Sequence, residues 1–251
     1  MRTYHQLTDP DRSGLLDQIG AQRRRVAERL AGVKRIVAVM SGKGGVGKSY
    51  VTAHLARALA RGGRAAGVLD ADLNGPTIPG LLQIAPNARP HPPAVGLDGV
   101  KCISMGQFLD EGAPLAFTGP AAESFVWRGA MEASALREFL GDVEWGNLDV
   151  LLLDLPPGMQ RYIELCDILG NPPPVLTVTI PTPESRDAVR RAMRAAVDRG
   201  SELLGIVENM VGGELHGSAA NELAAEFATP VVGRIPWHPT PDTWNRLAAQ
   251  L

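Results

Sequence analysis

A chain of 251 residues, 45% hydrophobic and 21% charged, holds enough apolar side chains for one substantial core and reads as globular, not disordered or fibrous. Its formal net charge of −2 leaves no overall electrostatic footprint for nucleic acid or an anionic membrane. No apolar run is long enough to span a bilayer, and Met1–Gly20 lacks the apolar centre of a secretory signal, so stable membrane insertion is not expected and a cytoplasmic location is.

Residues 1–12 are polar and carry Pro10, which suits a loose terminus. From Ser13 to Leu30 the apolar residues Leu15, Leu16, Ile19, Val26 and Leu30 recur at helical spacing, with Ser13 as a cap and Gly32 as a stop. Arg23, Arg24 and Arg25 on that helix read as a solvated face and not as a partner site. The division expected is residues 1–33 as a terminal segment with its helix, and 34–251 as the principal domain.

Arg35–Ala58 has the order strand, glycine loop, helix. The β-branched residues Ile36, Val37 and Val39 open it, and Gly42, Gly44, Gly45 and Gly47 interrupt it before an alanine-rich helical run. Gly42, Gly47, Lys48 and Ser49 fit G-x-x-x-x-G-K-[ST], the loop whose backbone N–H groups wrap a nucleotide's phosphates. Glycine accepts the backbone angles that turn those N–H groups toward an anion, and the helix that follows aims its positive end at the same place. Lys48 adds a full charge for the outer phosphates, and Ser49 offers a hydroxyl to Mg²⁺.

Ala65–Leu69 is a short buried strand delivering Asp70, Ala71 and Asp72 to the sheet edge where open α/β folds bind ligands. Either carboxylate can hold Mg²⁺ or orient a water; the competing role is capping or turn chemistry. Leu73–Leu82 is too broken by glycine and proline for a long element, and residues 84–98 read as a surface loop. Val100–Ser104 is expected as a strand, Leu115–Thr118 as another, and Glu132–Leu140 as a helix. Leu148–Leu153 is a nearly continuous apolar run that fits a central parallel strand and ends in Asp154, placed as a Mg²⁺-site carboxylate.

Val175–Ile180 forms the next strand, and Pro183 opens a helix running through Val197. Leu203–Val207 is a further strand ending at Glu208, Asn209 and Met210, followed by a helix over Ser218–Phe227, a strand at Val231 and Val232, and a helix over Pro241–Leu251. This alternation predicts an α/β fold, a doubly wound and mostly parallel sheet with helices on both faces.

The run Lys43-Gly44-Gly45-Val46-Gly47-Lys48-Ser49 resembles the deviant Walker A loop of the MinD, ParA and Mrp/ApbC group of P-loop ATPases. Asp70–Pro79, Trp127-Arg128-Gly129, Leu153–Gly158 and Gly205–Met210 resemble the Mrp/ApbC branch in particular, and the similarity runs from residue 34 to 236. The resemblance implies an ATPase with ATP and Mg²⁺ as its ligands, working as a homodimer that closes over the nucleotide. Lys43 then reaches the partner's nucleotide, Lys48 holds its own, and Asp72 orients the attacking water near the metal. Ser49 binds Mg²⁺ directly and Asp154 through water, while Asn209 and the backbone near Pro236 recognise adenine. Gly42–Tyr50 line the phosphates.

Departures from that pattern matter equally. Members of the branch that carry an iron–sulfur cluster have a C-x-x-C shortly after the segment matching Glu208-Asn209-Met210; here the stretch is Val211-Gly212-Gly213-Glu214-Leu215-His216-Gly217. Cys102 and Cys166 are the only cysteines and read as buried apolar residues, so a cluster held in the usual way is not expected. Tyr50 replaces the usual threonine, His54 the frequent asparagine, and Met159-Gln160-Arg161 a common Thr-Gly-Asp, which bears on hydrolysis rate and partner choice. Three outputs follow: an ATPase in or near iron–sulfur or metal-centre assembly acting on a client the sequence does not name, a nucleotide-switched positioning protein like MinD or ParA, or an ATP-binding regulatory subunit.

Overall fold

The computed structural model describes residues 15–72, 75–85, 92–104, 134–213, 215, 217 and 219–251. Within them lie eight strands: β1 (Ile36–Met40), β2 (Ala66–Asp70), β3 (Ala94–Val95), β4 (Lys101–Ser104), β5 (Val150–Asp154), β6 (Val175–Thr179), β7 (Leu203–Val211) and β8 (Val231–Pro236). The helices are α1 (Leu15–Arg29), α2 (Lys48–Arg61), α3 (Ile78–Leu81), α4 (134–141), α5 (Gln160–Leu169), α6 (Pro183–Asp198), α7 (Ala219–Phe227) and α8 (Pro241–Ala248).

The strands form one sheet in the order β3-β4-β2-β5-β1-β6-β7-β8, parallel throughout except for β3, which runs antiparallel to β4. β2, β5 and β6 are buried at every position, because a parallel strand covered on both faces has no solvent side. Alternate residues face opposite layers. Val37, Val39, Val68, Leu152 and Val178 pack under α2, α3 and α8. Ala38, Met40, Leu69, Leu151 and Leu153 face the other layer, where Val26 and Leu30 from the α1 end meet Phe139, Leu140 and Leu165. α6 and α7 continue that second layer through Val189, Met193, Ala220 and Leu223. The doubly wound α/β sheet is therefore as the sequence predicts.

Differences are local and have physical causes. β7 runs on to Val211, past the expected end at Val207, because a register shift against β8 between Glu208 and Val211 absorbs Met210 at φ 59°. β8 likewise extends to Pro236 alongside it. The segment expected as a loop over 84–98 contains β3, which pairs with β4, and a single 3₁₀ turn at Leu97–Gly99. The arginine run on α1 is exposed yet tied down: Arg23 donates to the Asp167 carbonyl at 3.0 Å and Arg25 pairs with Asp142 at 2.7 Å. Ser13, Leu115–Thr118, Trp127-Arg128-Gly129, His216 and the start of the helix expected from Glu132 lie outside the described residues.

Candidate functional site

At the carboxyl end of β1 the chain must leave a buried strand and enter α2 within seven residues, passing close to two neighbours. Gly42 packs on the backbone of α6 so tightly that a Cβ there would lie 2.1 Å from the Ala188 carbonyl carbon. Gly47, at φ 77°, would drive a Cβ to 2.3 Å from Nδ2 of Asn209. Both positions therefore require glycine, one for space and the other for space and backbone angle. Asn209 is buried, and its amide donates to the Val46 carbonyl at 2.9 Å, bracing the loop from β7. Met210, just beyond it, adopts the left-handed angle at the β7 irregularity. Gly47 caps α2 with no side chain, which leaves the first-turn N–H groups of α2 facing outward for an anion.

Charge in the site is concentrated at one point. Lys48 Nζ lies 2.8 Å from Oδ2 of Asp154, with the two side chains 6% and 0% exposed. Ser49 Oγ donates to the same Oδ2 at 2.6 Å, and Thr52 Oγ1 donates to Oδ1 at 2.7 Å. Asp154 thus ends β5 with both oxygens occupied by groups from the first turns of α2. Asp70 is its lateral neighbour, in register across β2 and β5, and is also buried. Ser104 Oγ donates to Asp70 at 3.0 Å, and the Ile78 and Asp72 backbone N–H groups donate at 3.3 and 3.2 Å. Burial first, and then the Asp154 charge, raise the Asp70 carboxyl to about 7.

Above these groups lies an open pocket of about 400 Å³, lined by Ser41, residues 43–50, Asp72, Gly75, Thr77, Leu81 and Pro157. It gathers Lys43, Gly44, Gly45, Val46, Gly47, Lys48, Ser49, Tyr50 and Asp72 at one place, with Asp154 beneath. Gly42 stands behind the loop against α6, Asn209 below it, and Pro236 at the exposed end of β8, beside Val211. Thr52 escaped the sequence reading, and Asp70, named there as a sheet-edge carboxylate, gains a role that the reading did not assign. Thr52 carries a signal in hindsight, a hydroxyl one helical turn after Lys48 and hence on the same face of α2. The role of Asp70 as a buried, protonatable neighbour of Asp154 has no local signal, because it depends on β2 and β5 being adjacent.

The sequence profile of ParA-type proteins, described as NUBPL iron-transfer P-loop NTPases, matches residues 32–244. The chain belongs to that family. An iron–sulfur cluster carrier protein of Methanocaldococcus jannaschii is 36% identical over 246 residues, covering 91% of this chain and 80% of the relative. The cytosolic Fe-S cluster assembly factor NUBP2 of Bos taurus is 35% identical over 231 residues, covering 84% and 82%. Among solved structures, a nucleotide-binding protein of Archaeoglobus fulgidus in complex with ADP superposes with a TM-score of 0.69 at 32% identity, over 90% of this chain and 91% of that one.

Cys102, in β4, belongs to the core beneath α2, whereas Cys166, in α5, belongs to the core on the opposite face of the sheet. Burial raises both thiols above their ordinary value. Among the described residues no group of three or more histidine, cysteine, aspartate or glutamate side chains is placed to hold a metal ion.

Proposed function

We propose that this NUBPL-type P-loop NTPase binds ATP in the pocket above Lys48, hydrolyses it, and does so as a homodimer with nucleotide between the two copies. The observation that carries this reading is the Lys48–Asp154–Ser49 cluster at the base of a glycine loop whose N–H groups are uncapped. The Lys48 ammonium contacts Asp154, and a γ-phosphate in the pocket would receive its full positive charge as well. Lys43 lines the same pocket and would supply a second cation to the partner's nucleotide. Asp72 lines the same pocket and would orient the attacking water. Asn209 and the backbone at Pro236 would receive the adenine.

Ser49 and Asp154 suit Mg²⁺, since a hydroxyl and a carboxylate oxygen 2.6 Å apart are hard oxygen donors at the base of the pocket. When bound there, the ion supplies charge neutralisation on the β- and γ-phosphate oxygens. This chain's own contribution is to hold the triphosphate on backbone N–H groups and to aim Lys48 and Asp72 at its end.

Iron–sulfur or metal-centre assembly is the setting supported by the names of the Methanocaldococcus and bovine relatives. We place this chain there as an NTPase that handles its cargo without a C-x-x-C of its own, because the sequence has none and its two cysteines sit in separate cores. A cytosolic location agrees with the bovine relative's name, and no helix among the described residues is long and apolar enough to cross a membrane. Phosphate release from Mg·ATP tests the reading: wild-type protein turns over slowly, Lys48→Ala and Asp72→Ala do not, and Asp72→Ala still binds. Hydrolysis at the wild-type rate by Asp72→Ala removes that carboxylate from the mechanism.

A further inference from the structure

Beside the pocket, α2 carries two rings one turn apart, Tyr50 and His54, and both meet Trp244 in the first turn of α8. His54 stacks on Trp244 with ring centroids 4.8 Å apart and planes inclined by 16°. Tyr50 meets Trp244 edge-on at 5.6 Å and His54 at 4.3 Å. Trp244 is 4% exposed, anchored in the core with Val207 and Ile235. Tyr50 differs from its two partners in being also part of the pocket wall above Lys48 and Ser49. Two other rings therefore fix its side chain, while the residue also borders the space a ligand would fill.

Position 50 follows Ser49 directly and borders the same pocket. A phenol reaches farther from the backbone than a threonine does, and its apolar ring suits sugar carbons and not phosphate oxygens. A ring already locked by His54 and Trp244 loses little side-chain freedom on contact, which is the condition for a small apolar contact to count in affinity. We propose that Tyr50 is a nucleoside-contacting residue, its ring packing on the ribose side of the ligand and held there by the His54–Trp244 stack. This deepens the ATP reading above and rests on it. It assigns to Tyr50 the discrimination between a nucleoside triphosphate and a bare polyphosphate, which the glycine loop alone cannot make.

Calorimetric titration of the full chain with Mg·ATP and, separately, with inorganic tripolyphosphate tests the assignment. Wild-type protein binds both. Tyr50→Thr weakens ATP about tenfold, in the range of an aromatic contact, and changes tripolyphosphate less than twofold, whereas Tyr50→Phe keeps the ATP affinity. Equal weakening of both ligands, or no weakening of ATP, overturns the inference in favour of simple packing between α2 and α8. Wild-type protein that binds neither ligand overturns the ATP reading itself. A second measurement needs no change at position 50: ATP alters tryptophan emission in the wild type and not in Trp244→Phe, while tripolyphosphate alters neither. An equal response to the two ligands contradicts the contact.

Discussion

The Lys48 ammonium and the Asp154 carboxylate, 2.8 Å apart and both almost wholly buried, are brought together by β1 and β5 lying side by side. A buried ion pair is costly to break from one side, because the remaining charge keeps its desolvation penalty and loses its partner. In the proposed reading the same arrangement holds the cation meant for the γ-phosphate at the base of the site. Lys48→Ala is expected to abolish ATP binding and to destabilise the fold by on the order of 3 kcal/mol. Calorimetry and urea denaturation check the two effects separately.

Thr52 supports the same carboxylate without touching the pocket. It is fully buried, donates to Oδ1 of Asp154 and takes no part in lining the nucleotide site. Thr52→Val preserves the shape and removes the donor, so stability should fall by about 1–3 kcal/mol, the cost of an unsatisfied buried acceptor. Thr52→Ser should restore most of it. Denaturation midpoints of the three proteins decide; equal midpoints for valine and wild type would show that the hydrogen bond adds nothing.

Glycines of the loop should divide sharply under substitution. Gly42→Ala sets a methyl group against α6 backbone that cannot give way, and is expected to lose nucleotide binding together with several degrees of melting temperature. Gly44→Ala meets nothing nearer than Pro157 Cγ at 3.9 Å and should melt within a degree or two of wild type. Thermal melts followed by circular dichroism measure both, and a similar loss at both positions would argue against the close approach at α6.

Asp70 makes stability depend on pH in a stated direction. Its folded-state carboxyl titrates near 7, above the ordinary value of 3.8, so its contribution is fully present below about pH 4 and is lost as pH rises toward 7. Wild type minus Asp70→Asn should therefore lose on the order of a few kcal/mol of relative stability between those limits. Urea titrations of both proteins at pH 4.5, 6 and 8 supply the comparison; a difference that does not vary with pH would place the Asp70 proton elsewhere.

Much of this was legible in the chain itself. The apolar runs of β1, β5 and β6 and the glycine loop declare a parallel sheet with that loop at its edge, since each is a local pattern with a local cause. Less legible was whatever depends on strand order or on distant approach. Asn209 is visible as a strand-end residue, but its grip on the Val46 carbonyl spans 163 positions and follows from β7 passing beneath the loop. Asp70 gains its neighbour only when β2 takes its place beside β5. The left-handed Met210 that lets β7 continue to Val211 is a single backbone angle, which no hydrophobic period encodes.

Sedimentation velocity with Mg²⁺ and a non-hydrolysable ATP analogue tests the central claim most directly, since it reads occupancy of the loop and closure over it together. The account predicts that the analogue converts wild-type protein to a dimer while Lys43→Ala, still able to bind it, stays monomeric. A wild-type sedimentation coefficient that is the same with and without the analogue would contradict it.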